Sequence, residues 1–457
     1  MATAKKLTKD FTRGSVPKQL FWFMLPFMAS NALQVLYSTI DMVIVGAYVG
    51  TPGLSAVSQS SQIMMFAMMV CIGFSSGGQV LIAQALGAGK RKELNEIIGT
   101  LFSLLMILAL ILTAVFLLGS EWIMQLMNMP EESHDFAMDY LIICSAGLVF
   151  TAGYNMVSAV LRAMGDSKRP LLFVGIASAV NLLLDLLFTG LFGWEVAGAA
   201  WATIIGQAVS FLFSLYYLYK RREEFGFDFK LKSLRINRQY SRMICAIGAP
   251  TAIQFGCVNL SMLFVNSLIN SVSVVASATF GVGVRIDDII NKISVGVQYA
   301  AMPMISQNIA ANQQKRAVNI VHWTWIFSTA LTLLFMLAYL LFGEQMFMLF
   351  SDDAQVLAMS GSFIAGILWL FPALTIMRGS GAFIQGIGNA RLSMVLGILD
   401  AVVFRIGLSW LFGIVFGWGF YGFVLGYALA PYGGAIPGMI YFLSGMWKKR
   451  KVLAEDI

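Results

Sequence analysis

The sequence predicts an all-α integral membrane protein: twelve transmembrane helices in two parallel, pseudo-symmetric six-helix lobes. Three observations predict it. First, 58% of the 457 residues are hydrophobic and only 12% are charged, with mean hydropathy +0.78, whereas soluble domains carry about 25% charge. Second, apolar stretches long enough to cross ~30 Å of hydrocarbon recur along the whole chain. Third, the first half returns as the second about 223 residues later. Gly73, Ile82, Gln84, Ala88 and Lys92 reappear as Gly296, Ile305, Gln307, Ala311 and Lys315, and Gly165 as Gly388. Pro26 matches Pro250 one residue out of step.

In chain order the expected spans are about 20–45, 53–85, 96–119, 134–162, 170–190 and 194–219, then 241–270, 273–311, 318–343, 354–388, 392–415 and 419–446. Six spans per lobe is an even number, so both lobes enter the membrane in the same sense, as parallel repeats do. The expected divisions are a polar N-terminal segment 1–19, an N-lobe 20–219, a linker 220–240, a C-lobe 241–446 and a tail 447–457. The N-terminus is basic and polar, without a cleavable signal. The linker is expected to form a short amphipathic surface helix or a plain charged connection. In the helical case Phe225, Phe227 and Phe229 would face lipid.

All 30 Lys and Arg fall at one set of helix ends or inside helices. They include Lys5, Lys6, Lys9, Arg13, Lys90, Arg91, Lys168, Arg169, Lys220, Arg221, Arg222, Lys315, Arg316, Arg391 and the run Lys448 to Lys451. The opposite loops hold acids instead: Glu121, Glu131, Glu132, Glu195, Glu344, Asp352 and Asp353. By the positive-inside rule both termini are cytoplasmic and the protein is multi-pass in the cell membrane. The formal charge of +7 is therefore a topology signal. A nucleic-acid partner would need a compact basic domain, and none is present. The four cysteines have no metal or disulfide spacing.

Ionisable side chains inside hydrocarbon are costly and mark function. Asp41 and Asp185 both fall about five residues below the external end of their helices. Asn181 lies one turn from Asp185 on the same face, and Thr203 is at a similar depth. Two carboxylates, an amide and a hydroxyl thus converge in one lobe. Two carboxylates in a low dielectric cannot both be charged cheaply, so the set suits a bound proton or a shared Na⁺. The offset puts Val265 where Asp41 stands, and Leu408 or Ser409 where Asp185 stands, so this site is not duplicated. The second lobe has its own charges. Arg285, Asp288 and Lys292 share a helix face beside Asp287 and can pair along it. Asp400, Arg405 and Arg378 follow, with either structural or substrate roles open. The glycine-rich GSGAFIQGIG, 379–388, sits in a membrane helix and is expected to serve close packing. His134 and His322 are read as incidental.

Several runs then resemble the multidrug and toxic compound extrusion (MATE) family over essentially the whole chain. They are LPFMASNALQVLYSTIDMVIVG, QVLIAQALGAGKRKE, LRAMGDSKRP and NLLLDLLFTGLFGWEVAGAAWAT. The pattern is closest to the DinF-like group. That resemblance implies a proton or Na⁺ site on Asp41, Asn181, Asp185 and Thr203, with Tyr37 one turn before Asp41, and helix bending at Pro26. The seventh helix lacks the acid of the NorM-like group. The resemblance further implies a monomeric antiporter that exports amphipathic, often cationic, molecules across the lipid bilayer by alternating access, driven by H⁺ or Na⁺. No cofactor, structural metal or catalysis is expected. The alternative is a lipid-linked saccharide flippase of the same superfamily. A channel is disfavoured because no filter or acidic ring is evident, and an enzyme because no nucleophile or metal constellation appears.

Overall fold

The computed structural model describes residues 9–127 and 130–457; Lys5 and Lys6 lie outside the described residues. Among the described residues there is no strand, and the helices form twelve spans. In the first half these are α1 (Val16–Tyr48), α2 (Thr51–Gly87), α3 (Leu94–Leu126), α4 (Glu131–Ala146 and Leu148–Ala163), α5 (Lys168–Leu191) and α6 (Glu195–Lys220). In the second half they are α7 (Arg238–Asn270), α8 (Val274–Ala310), α9 (Gln314–Met348), α10 (Ala354–Ile367 and Leu370–Gly386), α11 (Ala390–Val415) and α12 (Gly419–Leu443).

The repeat extends to geometry. α1 and α7 each have 33 residues, and α2 and α8 each have 37. α4 and α10 are both broken, bending by 47° and 44°. α5 and α11 both pass from α- into π-helical turns near their ends. Four charged residues, Arg285, Asp287, Asp288 and Lys292, fall within α8. The turns that close α4 and α10 both require a left-handed residue, supplied by Gly165 at φ 85° and Gly388 at φ 77°. Glycine adopts that conformation without a Cβ penalty.

The chain divides into two compact units, and the division differs from the expected boundaries. Unit 1 comprises Ala29–Ala252 with a few terminal residues; unit 2 comprises Phe11–Met28 and Ile253–Asp456. The reason is the length of α1 and α7, ~50 Å each at 1.5 Å per residue. Val16, Leu20, Phe23, Met24 and Phe27 of α1 pack with Val297, Ala301, Ile305, Val321 and Phe442 in unit 2. Phe11 is wholly buried there. Its backbone N–H donates to Gln307 Oε1 at 3.1 Å, and its carbonyl accepts from Asn308 and Arg316. Gln307, one of the repeated residues, thus tethers the N-terminal segment.

In unit 1 the start of α7 crosses α2 with backbone in contact. A Cβ on Gly73 would lie 2.8 Å from the Gly248 carbonyl oxygen. Its repeat partner Gly296 is equally tight in unit 2, where a Cβ would lie 2.9 Å from the Met28 nitrogen. The glycines of the 379–388 stretch also pack closely: a Cβ on Gly386 would sit 3.0 Å from the Met302 carbonyl.

The linker departs from the surface-helix expectation. Phe225 and Phe227 are 1% and 2% exposed, in a core with Leu94, Ile98, Leu101 and Tyr240. One helical turn, Arg222–Phe225, ends at Gly226 with φ 66°, and a 3-10 turn, Leu231–Leu234, follows. Burying two phenyl rings in protein removes more apolar area from water than laying them on headgroups, and so decides the conformation. The strap is tied to the start of α3. The Asp228 N–H donates to Asn95 Oδ1 at 3.1 Å, the Ser103 hydroxyl donates to the Leu234 carbonyl, and the Asn237 amide donates to Glu96 Oε2 at 2.8 Å.

Candidate functional site

Unit 1 brings together the acids that the sequence singles out. Asp41 near the end of α1 is 8% exposed, and Asp185 in α5 is 1% exposed. Their carboxyl groups lie within direct interaction distance of each other. Asp41 Oδ1 and both oxygens of Asp185 are buried with no hydrogen-bond partner. An ionised carboxylate has only acceptors, so neither acid can satisfy the other. A buried acceptor without a donor costs about 1–3 kcal/mol, and more when charged. A proton or a small cation between the two would supply what the protein withholds.

The backbone prepares this position. Asp185 is the last α-helical residue before the π-helical turn Leu186–Leu191. Such widened turns shift the side chains around them and recur at functional sites. Asn181, one turn earlier, is 4% exposed and donates to Thr203 Oγ1 at 3.5 Å. Tyr37, Ser178, Asn181, Thr203 and Gln207 line a small cavity of about 10 Å³, close to the least space that holds one water. Tyr37 also lies near enough to Asp41 to feel its charge.

Three neighbours were missed from sequence. Tyr140 and Cys144 of α4 lie within electrostatic range of Asp41, and Ser61 of α2 donates to the Tyr140 hydroxyl at 3.4 Å. Tyr140 and Cys144 are four residues apart, hence on one helix face. That spacing was the available signal. Pro26 is buried within α1, in the part that belongs to unit 2. It stands fifteen residues before Asp41 along the same helix, about 22 Å at 1.5 Å per residue.

The second-lobe charges separate into two groups. Arg285 and Asp288 are exposed, and Lys292 pairs with Asp288 at 2.7 Å. The buried acid on this helix is the neighbouring Asp287, whose Oδ2 accepts from the Tyr427 hydroxyl at 2.6 Å. Arg405 and Asp400 form a buried pair at 3.0 Å. They are five residues apart, about 140° around an α-helix. The π-helical turns of Leu399–Ile406 bring them to a common face. Asp287, Arg378, Asp400, Arg405 and Tyr427 all line one cavity of about 290 Å³ inside unit 2. Of the five charges expected to form a second-lobe network, Lys292, Asp400 and Arg405 line this cavity together with Asp287 and Arg378, and Arg285 and Asp288 do not.

A duplicated six-helix membrane unit with a buried carboxylate pair in one copy defines the class: a multi-pass membrane transporter built from a parallel repeat. The chain belongs to the MatE family, whose profile matches residues 26–187 and again residues 250–411. Among its relatives, the Bacillus subtilis (strain 168) probable multidrug resistance protein YpnP is 29% identical over 450 residues, covering 98% of this chain and 99% of that protein. The Thermotoga maritima probable multidrug resistance protein NorM is 26% identical, covering 96% and 95%. A solved outward-facing multidrug resistance MATE family transporter superposes with a TM-score of 0.91 at 23% identity, over 99% of this chain and 100% of that one. At that identity the likeness speaks for the fold alone.

Proposed function

We propose that this protein is a cation-coupled antiporter that exports amphipathic, often cationic, drug-like molecules across the cell membrane by alternating access. The observation that carries the coupling is the Asp41–Asp185 pair, with three buried oxygens lacking any donor. Proton or Na⁺ entry relieves that deficit and removes net negative charge. The helices around the pair then have a second stable arrangement, which is what coupling requires. Each positive charge moving inward gains about 2.3 kcal/mol per 100 mV of membrane potential.

Asn181, Thr203 and Tyr37 supply the neutral oxygens that a hard cation such as Na⁺ would use beside the carboxylates. Pro26 lacks a backbone donor in α1 and offers a point of bending. The excess of Lys and Arg at one set of helix ends supports cytoplasmic termini, and the chain is read as working as a monomer in the DinF-like group. The multidrug names of the relatives support drug-like substrates and argue against a saccharide flippase. The deciding experiment is drug uptake into everted vesicles with the proton and Na⁺ gradients imposed separately. Uptake under one gradient is expected. Uptake under neither would overturn the antiporter reading.

A further inference from the structure

We infer that the cavity inside unit 2 is a second ligand site, shaped for a small zwitterion. Arg378 receives the ligand's anionic group, and Asp287 receives its ammonium or other donor. The inference rests on the reading of the protein as a binder of small amphipathic molecules and extends it to the second lobe.

The argument is one of what remains after pairing. Five ionisable side chains other than tyrosines line the cavity: Asp287, Lys292, Arg378, Asp400 and Arg405. Asp400 and Arg405 neutralise each other at 3.0 Å, with the Arg405 guanidinium also stacked over the Tyr427 ring at 5.2 Å. Lys292 is half-exposed and held by Asp288. Arg378 and Asp287 remain. Arg378 is 4% exposed, and no carboxylate lies within ion-pair distance of it among the described residues. It donates only to neutral amides, to Gln298 Oε1 at 3.3 Å and to Asn291 Oδ1, and its Nε–H is buried without a partner. Gln298 is fixed in turn by donating to Gln385 Oε1 at 3.2 Å. Asp287 is 2% exposed, and its Oδ1 is buried without a partner.

A buried guanidinium held in place by amides, with Asp287 within electrostatic range but no carboxylate in direct contact, is an anion receptor. Its planar fork matches a carboxylate or phosphate. The unsatisfied Asp287 oxygen asks for the opposite group. Leaving both groups unpaired in a membrane interior is unfavourable, and a ligand carrying both charges satisfies the two together. Phe255, Leu370 and Met377 supply an apolar wall for its body. At about 290 Å³ the cavity stands at the lower bound of small-molecule sites, roughly 300–1,000 Å³, so the ligand is small.

The test is equilibrium binding to detergent-purified full-length protein with three radiolabelled probes sharing one indole body. Tryptophan carries both charges, tryptamine lacks the carboxylate, and indole-3-propionate lacks the ammonium. Tryptophan is expected to bind wild type about tenfold more tightly than either analogue. Arg378→Gln should bring tryptophan down to tryptamine, and Asp287→Asn should bring it down to indole-3-propionate. The wild-type comparison needs no variant, so a variant that fails to fold leaves the test intact. Tryptamine binding wild type as well as tryptophan does would reveal a simple cation site and overturn the inference. So would a failure of tryptophan to bind, or a carboxylate preference that survives Arg378→Gln. Because the readout is binding without a gradient, failed export from vesicles would refute the antiporter reading and leave this result standing, and the reverse also holds.

Discussion

Asp41 and Asp400 are both buried acids, yet their surroundings predict opposite phenotypes. Asp41 faces another carboxylate and lacks a donor, so Asp41→Asn removes a repulsion along with the ion carrier. The variant is expected to fold, bind substrate and lose gradient-driven export in vesicles; wild-type export by a correctly inserted variant would refute the role. Asp185→Asn should be similarly crippled. Asp400, in contrast, neutralises Arg405. Asp400→Asn strands a buried guanidinium, which typically costs about 3–5 kcal/mol. Its expected signature is a lowered thermal midpoint, with residual transport per folded molecule well above that of Asp185→Asn. An unchanged midpoint would show that the pair contributes nothing to stability.

At the scale of elements, the linker lies against α3 at Gly99 and is held in shape by Asp228. A Cβ on Gly99 would lie 1.7 Å from the Ser233 carbonyl oxygen, and backbone cannot retreat as a flexible side chain does. Gly99→Val should lift the strap from α3 and open 226–237 to limited proteolysis, while Gly119→Val, which meets only the far end of Ile123, should leave it protected. Asp228 holds the strap from within. The Ser233 hydroxyl at 2.6 Å is the main influence keeping its carboxyl below the ordinary 3.8, followed by the Lys230 N–H. A depressed folded-state value means the contribution is complete above the unfolded value and is lost as pH falls through the folded one. Protection factors of the strap amides, which divide out the intrinsic pH dependence of exchange, should therefore be flat across the neutral range and fall only below pH 3.8. Ser233→Ala should shrink that fall, because the folded-state value then lies closer to 3.8, and a fall of undiminished size would assign the depression to another group.

On the scale of the whole molecule, coupling is reciprocal. If cation and substrate weaken each other's binding, they do so by the same factor. For proton coupling, substrate affinity of purified protein should fall as pH drops; for Na⁺ coupling, it should fall as Na⁺ rises. Asp41→Asn should be flat in the active variable. A wild type flat in both variables would move the coupling from affinities to the rates of conformational change.

The periodicity and repeat of the sequence determined the fold class, the twelve spans and the asymmetry between the lobes. Each depends on local properties: apolar length against bilayer thickness, and residues that recur or fail to recur at a fixed offset. Asp41 and Asp185 were legible for a related reason, since a carboxylate in an apolar run stands out whatever its neighbours. Tertiary structure alone decided what those residues meet. Phe225 and Phe227 fit a lipid-facing helix as well as a plain linker in sequence, because composition cannot tell a bilayer from a protein core. Asp288 and Asp287 are adjacent in sequence, and only the rotation of α8 buries the second and exposes the first. The pairing of Asp400 with Arg405 awaited a π-helical register that no residue pattern announces. The first third of α1 joined unit 2 because a helix of ~50 Å outlasts a bilayer core of ~30 Å, and its early side chains find their partners about 280 residues further along the chain.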